Sequence, residues 1–315
     1  VKAVAKRARR KVLRSLLRGY AALMLRERPW DGRGVPSPAR HYGPPGVEKL
    51  SLSVLGDSAA QCVGVLEQRD SPIEYLARRM VSELSCAVDV EVLARAGVTT
   101  EGMARQVRAL ARRPEQGVVL IAIGGNDVLL PTSLKRSAAR LGQYVGELRE
   151  AGWEVVVGSC ADIGAAPALY RPAAVVATFR SRRLARRQTV AVLRAGGLVV
   201  SLATDVFRRS PESLYCPDGF HPSPEGYLHY YSRLGVGVVE AARAKLGMGD
   251  RSARSDDLVL AGTRTELRRL AGEQGACFIP SASRGGVVMR RYSTAAGHGH
   301  GHECDAGPLV TSSPR

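Results

Sequence analysis

The sequence predicts an α/β fold, a three-layer α/β/α sandwich around a five-stranded parallel sheet, on three observations. Short apolar runs alternate with stretches of helical periodicity between residues 49 and 249, the pattern of strand–helix units that build a parallel sheet. The third run, Gly117–Ile123, is apolar almost throughout, as a strand buried on both faces must be. Finally, Ser58, Gly97 and Asn126 come just after the first, second and third runs, at the sheet edge where such folds place their sites.

The elements follow in order. Leu50–Leu55 is the first strand. Ser71-Pro72-Ile73-Glu74 then opens a helix: Ser caps it, Pro takes the first helical position, and Glu three residues on can reach back. Val88–Leu93 is the second strand, and a helix follows from about Thr100 to Arg112. After the third strand a helix runs from about Ser133 to Ala151, and Glu154–Gly158 is the fourth strand. A loop with Pro167 and Pro172 leads to a helix over 174–194, and Leu198–Leu202 is the fifth strand. Ser223-Pro224-Glu225 starts a last helix that ends near Leu246.

The flanks read differently. Residues 1–29 hold ten basic residues and one acidic. Val12, Leu13, Leu16, Leu17, Tyr20, Leu23 and Met24 recur there at helical spacing, which predicts a basic amphipathic helix. It either lies on an anionic membrane surface or docks on the domain with a solvated basic face. Arg14 and Arg18 interrupt its apolar part and no small-residue cleavage site follows, so it does not read as a signal peptide. The chain opens on Val1 rather than Met, which leaves room for a preceding segment. Residues 30–48, with Pro36, Pro38, Pro44 and Pro45, read as a linker. Residues 250–315 form an extension with one more helix at 256–272 and disorder beyond it.

Composition bounds the function. With 315 residues, 45% hydrophobic and 24% charged, the chain can bury a sizeable core. The net charge is +17, but only six of the 46 basic residues are Lys. Neither a nucleic-acid module nor a basic stripe interleaved with aromatics is present, so nucleic acid is not an expected partner. The six cysteines are scattered without CxxC spacing, which fits a reducing, cytoplasmic compartment and no zinc site. Gly297-His298-Gly299-His300-Gly301-His302-Glu303-Cys304 is similar to a metal-chelating tract, but a disordered tail offers no fixed geometry, and no metal is expected. Arg180, Arg182, Arg183, Arg186 and Arg187 form a basic run. It is either a solvated helix face or a binder of an anionic head group.

Three short motifs carry the chemistry. Gly56-Asp57-Ser58 follows the first strand, Gly124-Gly125-Asn126-Asp127 follows the third, and Asp218-Gly219-Phe220-His221-Pro222 precedes the last helix. A serine hydroxyl needs a base to become a nucleophile and donors for the oxyanion it creates. His221 is the candidate base. Pro222 disfavours helical geometry for it and holds it in a loop. Asp218, three residues earlier, can orient the imidazole. Each residue also has an ordinary reading: Ser58 as a helix cap, Gly97 and Asn126 as turn residues, Asp218-Gly219 as a turn. Asp57 and Asp127 are expected to support their motifs through local hydrogen bonds.

In this order the motifs, with Gly97 in Ala96-Gly97-Val98-Thr99, resemble the four blocks of the SGNH (GDSL-type) hydrolase family, over about residues 49–247. The resemblance implies the flavodoxin-like SGNH fold and a serine esterase or lipase. It implies a catalytic triad of Ser58, Asp218 and His221, an oxyanion hole from Ser58, Gly97 and Asn126, and no metal or cofactor. The substrate it implies is a small-molecule or lipid acyl ester. An acyltransferase or thioesterase would use the same residues. A non-catalytic membrane-surface binding protein is the alternative of another class, and it would place the chain peripherally at a membrane through residues 1–29. The second block lacks the Asn that often precedes its glycine. Cys62 stands where relatives often carry glycine, which is expected to narrow the pocket or change its flexibility without touching the chemistry.

Overall fold

The computed structural model describes residue 19 and residues 24–26, 29–248, 257–281 and 286–292. Its strands are β1 (His41–Tyr42), β2 (Lys49–Gly56), β3 (Ala87–Val92), β4 (Gly117–Ala122), β5 (Glu154–Gly158), β6 (Leu198–Val200), β7 (Leu258–Leu260), β8 (Ala276–Pro280) and β9 (Val287–Arg291). The helices are α1 (Ser58–Gln61), α2 (Pro72–Leu84), α3 (Ala104–Ala111), α4 (Gly125–Leu129), α5 (Leu134–Glu150), α6 (Arg171–Arg194), α7 (Val206–Arg209), α8 (Pro211–Leu214), α9 (Pro224–Lys245) and α10 (Arg264–Leu270). The five predicted strands are parallel and adjacent in the order β3-β2-β4-β5-β6. That is the 2-1-3-4-5 order of a flavodoxin-like sheet.

Side chains alternate along the strands, and the two faces build two cores. Leu52, Val54, Leu120, Val156 and Val200 pack with Ile73, Leu76 and Met80 of α2 and with Tyr231, Leu234 and Val238 of α9. Leu55, Val119, Ile121, Val157 and Val199 pack on the other face with Val107 and Leu110 of α3, Leu141 and Val145 of α5, and Val190 and Leu193 of α6. Removing one such leucine side chain costs about 2–5 kcal/mol. Among the described residues no helix is long and apolar enough to cross a membrane.

The sheet is larger than five strands. β1 lies antiparallel on β3, and β8, β9 and β7 continue the sheet antiparallel from β6. The expected disorder after residue 272 is therefore corrected: Ala276–Pro280 and Val287–Arg291 are strands. Each is five residues long, too short for a periodic signal among the surrounding Gly and Ser. Pairing with the open edge of β6 and burial of Cys277, Phe278 and Met289 stabilise them. Arg290 is buried with them, paired to Asp257 at 2.8 Å and Glu240 at 2.7 Å. The helix expected at 256–272 is confined to α10.

The segment expected as a linker also lies against the domain, because it supplies β1 and buries Tyr42. Pro172, expected in a loop, occupies the first turn of α6, where a missing N–H costs nothing. Ser71 takes the N-cap position of α2 without a side-chain cap bond, and Glu74 turns to Arg78 at 3.1 Å. The predicted N-terminal helix falls mostly outside the described residues, as does the His-rich tract. Near its end, Met24 and Leu25 are buried beside Leu169 and Ala177, and Leu25 bridges Leu169.

Candidate active site

β2 ends at Gly56, where φ is +140° and a Cβ would collide with the Ala122 carbonyl of β4. Glycine is thus required for the turn. The Gly56 peptide is held on both sides by one buried side chain. Gln106 Oε1 accepts its N–H at 2.8 Å, and Gln106 Nε2 donates to its carbonyl at 2.9 Å. Asp57 caps α1, accepting from the N–H of Ala59 at 3.0 Å and of Gly124 at 3.3 Å. Burial raises its carboxyl to about 6 in spite of those bonds.

Ser58 is the first residue of α1, and its hydroxyl makes no hydrogen bond to a described residue. Its backbone is fixed from α9. Tyr227 donates to Val63 O at 2.8 Å and Ser58 O at 3.4 Å, and Tyr231 donates to Ala59 O at 3.2 Å. Cys62 ends α1 in the left-handed region, φ +60°, where glycine is the unstrained residue. Cys62 is buried beside the Tyr231 hydroxyl rather than in the cavity wall, so the expectation that it narrows the pocket is corrected. Burial pushes its thiol up to about 12.

The other half of the site is a short loop. Asp218 accepts from the N–H groups of Phe220 and His221, each at 3.0 Å, and from His221 Nδ1 at 2.7 Å. Both side chains are almost wholly buried. Burial pushes the Asp218 carboxyl up, but the bond from the His221 ring and the two N–H donors outweigh it and hold it at about 2. An ionised carboxylate only accepts, so Nδ1 carries a proton toward Asp218 and Nε2 is the ring nitrogen left to face a substrate. A fourth donor comes from afar: the Trp30 N–H reaches Asp218 Oδ2 at 3.1 Å. Gly64 lets the two halves meet, since a Cβ there would lie 2.6 Å from Cys216 Sγ and 2.8 Å from Pro222 O.

Asn126 sits in the first turn of α4 and donates from Nδ2 to Val98 O at 2.9 Å. One amide hydrogen thus fixes the second-block turn and the other is left over. Asp127 is buried and ties distant parts together, accepting from Thr100 N–H and Oγ1 and from Ser137 Oγ. Arg180 caps the end of α4, donating to the carbonyls of Val128, Asp127 and Leu130 at 2.7–2.9 Å. It therefore leaves the basic run. Gly97 has φ +79°, is exposed, and does not line the cavity.

Ser58, Asn126 and His221 share the wall of one cavity of ≈ 100 Å³, closed by apolar and aromatic side chains such as Leu202, Phe207, Phe220 and Tyr230. The geometry thus gathers three of the five sequence-predicted residues around one space, with Asp218 behind His221. Gln106, Tyr227, Tyr231 and Trp30 were missed. Gln106 had a legible signal, a polar residue on the apolar stripe Met103, Val107, Leu110. Trp30 had none, because its backbone makes the contact.

The model of the GDSL-like Lipase/Acylhydrolase family matches residues 54–228, more than half of the chain. The chain belongs to this family. The match begins in β2 and ends in α9, so it holds every predicted site residue, while Trp30 and β7–β9 lie outside it. A GDSL-like esterase of Mycobacterium tuberculosis is 34% identical over 201 residues, covering 62% of this chain and 64% of that protein. The matched part of the chain thus spans less than two thirds of that relative's length. Among solved structures, a lipolytic protein of the G-D-S-L family from Veillonella parvula aligns with a TM-score of 0.47 at 15% identity, over 61% of this chain and 97% of its own. A psychrotrophic esterase from Pseudoalteromonas aligns with a TM-score of 0.45 at 17% identity, over 60% and 97%.

Proposed function

We propose that the chain is a serine hydrolase that cleaves carboxylic acyl esters. The observation that carries this reading is that His221, backed by its buried partner Asp218, shares one apolar cavity with Ser58, whose hydroxyl bonds no described residue. Ser58 Oγ attacks the acyl carbonyl while His221 Nε2 takes its proton. Asp218, held at about 2 by the His221 ring and two N–H donors, fixes the imidazole tautomer and stabilises the imidazolium. The Ser58 N–H and the spare Asn126 amide hydrogen, both at the cavity wall, receive the oxyanion, each donor contributing about 2.7–4 kcal/mol where it is aligned. Proton return from His221 expels the alcohol. Water, activated by the same imidazole, then releases the acid. The aromatic cavity accepts the acyl chain. Family membership and a relative described as a GDSL-like esterase support the reading.

The test is hydrolysis of p-nitrophenyl esters from acetate to palmitate by the wild type and by Ser58→Ala. The expected result is turnover that falls by about 10⁴-fold or more in the variant, with a fluorophosphonate labelling the wild type alone. Equal rates would remove Ser58 as nucleophile.

A further inference from the structure

The outer face of α6 is unlike the rest of the surface. In its first turns Val175, Val176 and Phe179 are exposed, at 70%, 49% and 63%. One turn on, the same face carries Arg182, Arg183 and Arg186, all exposed. At 100° per residue these six positions fall in one continuous sector. The 24 residues of α6 include no Asp or Glu. Among the described residues no carboxylate pairs with Arg182, Arg183, Arg186 or Arg187. Arg264 and Arg268 of α10 add to the cluster, for burial and then the charges of Arg183, Arg268 and Arg264 lower the Arg187 guanidinium from its ordinary value.

We propose that this face of α6 docks on an anionic lipid bilayer. Two adjoining halves, one apolar and one cationic, match the boundary between acyl chains and phosphate head groups. A soluble polyanion would satisfy the arginines but leave Val175, Val176 and Phe179 bare. The opposite, inward side of the same helix adjoins the cavity wall. Ile163, in the cavity wall, donates its N–H to Ser181 Oγ of α6 at 3.1 Å, and Gly164 lies so close to Ala174 and Thr178 that a Cβ would not fit. A docked α6 therefore ties the cavity wall, through its inward side, to the element that meets the bilayer. The proposal does not depend on the hydrolytic reading, because it concerns binding alone.

The test is flotation of the full chain with vesicles of phosphatidylglycerol in phosphatidylcholine, against phosphatidylcholine alone. The wild type is expected to float with the anionic vesicles and to be released by salt. Arg182→Ser/Arg183→Ser/Arg186→Ser and Val175→Asn/Phe179→Ser should each lower partitioning about tenfold or more, while circular dichroism stays unchanged. Phe179→Ser alone provides a milder version of the second variant. Wild-type partitioning by both multiple variants would overturn the proposal and assign binding elsewhere in the chain. So would absence of wild-type binding, or loss in the arginine variant alone together with tight binding of a duplex oligonucleotide, which would make the face a polyanion site.

Discussion

The nucleophile turn and the base loop solve the same positioning problem by opposite means. Asp218 and His221 are held mainly by each other, through bonds spanning two or three residues. Ser58 is held by residues far away in sequence, with Gln106 50 positions from Gly56 and Tyr227 and Tyr231 about 170 from the turn. A self-contained loop tolerates change around it and fails when its own members change. A turn suspended from distant elements depends on the whole frame. The difference teaches where a substitution should damage chemistry and where it should damage stability.

Three substitutions sharpen the contrast, from the largest effect to the smallest. Asp218→Asn keeps the volume but loses the acceptor that fixes the His221 tautomer. The expected outcome is a fall in kcat of about 10⁴-fold with thermal stability nearly intact, read from steady-state kinetics beside a melting curve. An equal loss of both would break the idea of a self-contained loop. Gln106→Leu should do the reverse. It leaves the N–H of Gly56 unpaired in the core, at about 1–3 kcal/mol, while the C=O keeps the Arg95 N–H at 3.1 Å, so calorimetry should record a Tm lower by several degrees. The smallest effect belongs to Trp30. Trp30→Pro deletes the N–H that reaches Asp218, whereas Trp30→Ala keeps it. A drop of about tenfold in kcat for the proline variant alone, with KM unchanged, would identify the amide as a positioning donor; equal kinetics for the two would deny it that role.

The same contrast explains what the sequence disclosed. The five parallel strands were legible because each apolar run is bounded by turns and followed by a helical pattern. Asp218 and His221 were legible because their contact is local, so spacing alone places them together. Ser58 could be named but its supports could not, since nothing in the spacing of residues 56, 106, 227 and 231 brings them to one point before the sheet is assembled. Gly97 shows the converse: its motif was found, yet the turn leaves it exposed and outside the cavity wall. β8 and β9 stayed hidden because a five-residue stretch, in β9 ending on two arginines, becomes a strand only when an open edge awaits it.

That edge has a consequence for biosynthesis. β6 ends at Val200, and the strand that covers it begins roughly 75 residues later, at Ala276. At about 5–20 residues per second, the ribosome leaves Val199 and Val200 without their outer neighbour for roughly 4–15 s. A nascent chain that has already emerged through α9 holds every residue of the candidate site, yet still offers an unpaired apolar strand to its neighbours on a polysome. The C-terminal strands thus act late, as the step that makes an already assembled site safe to release.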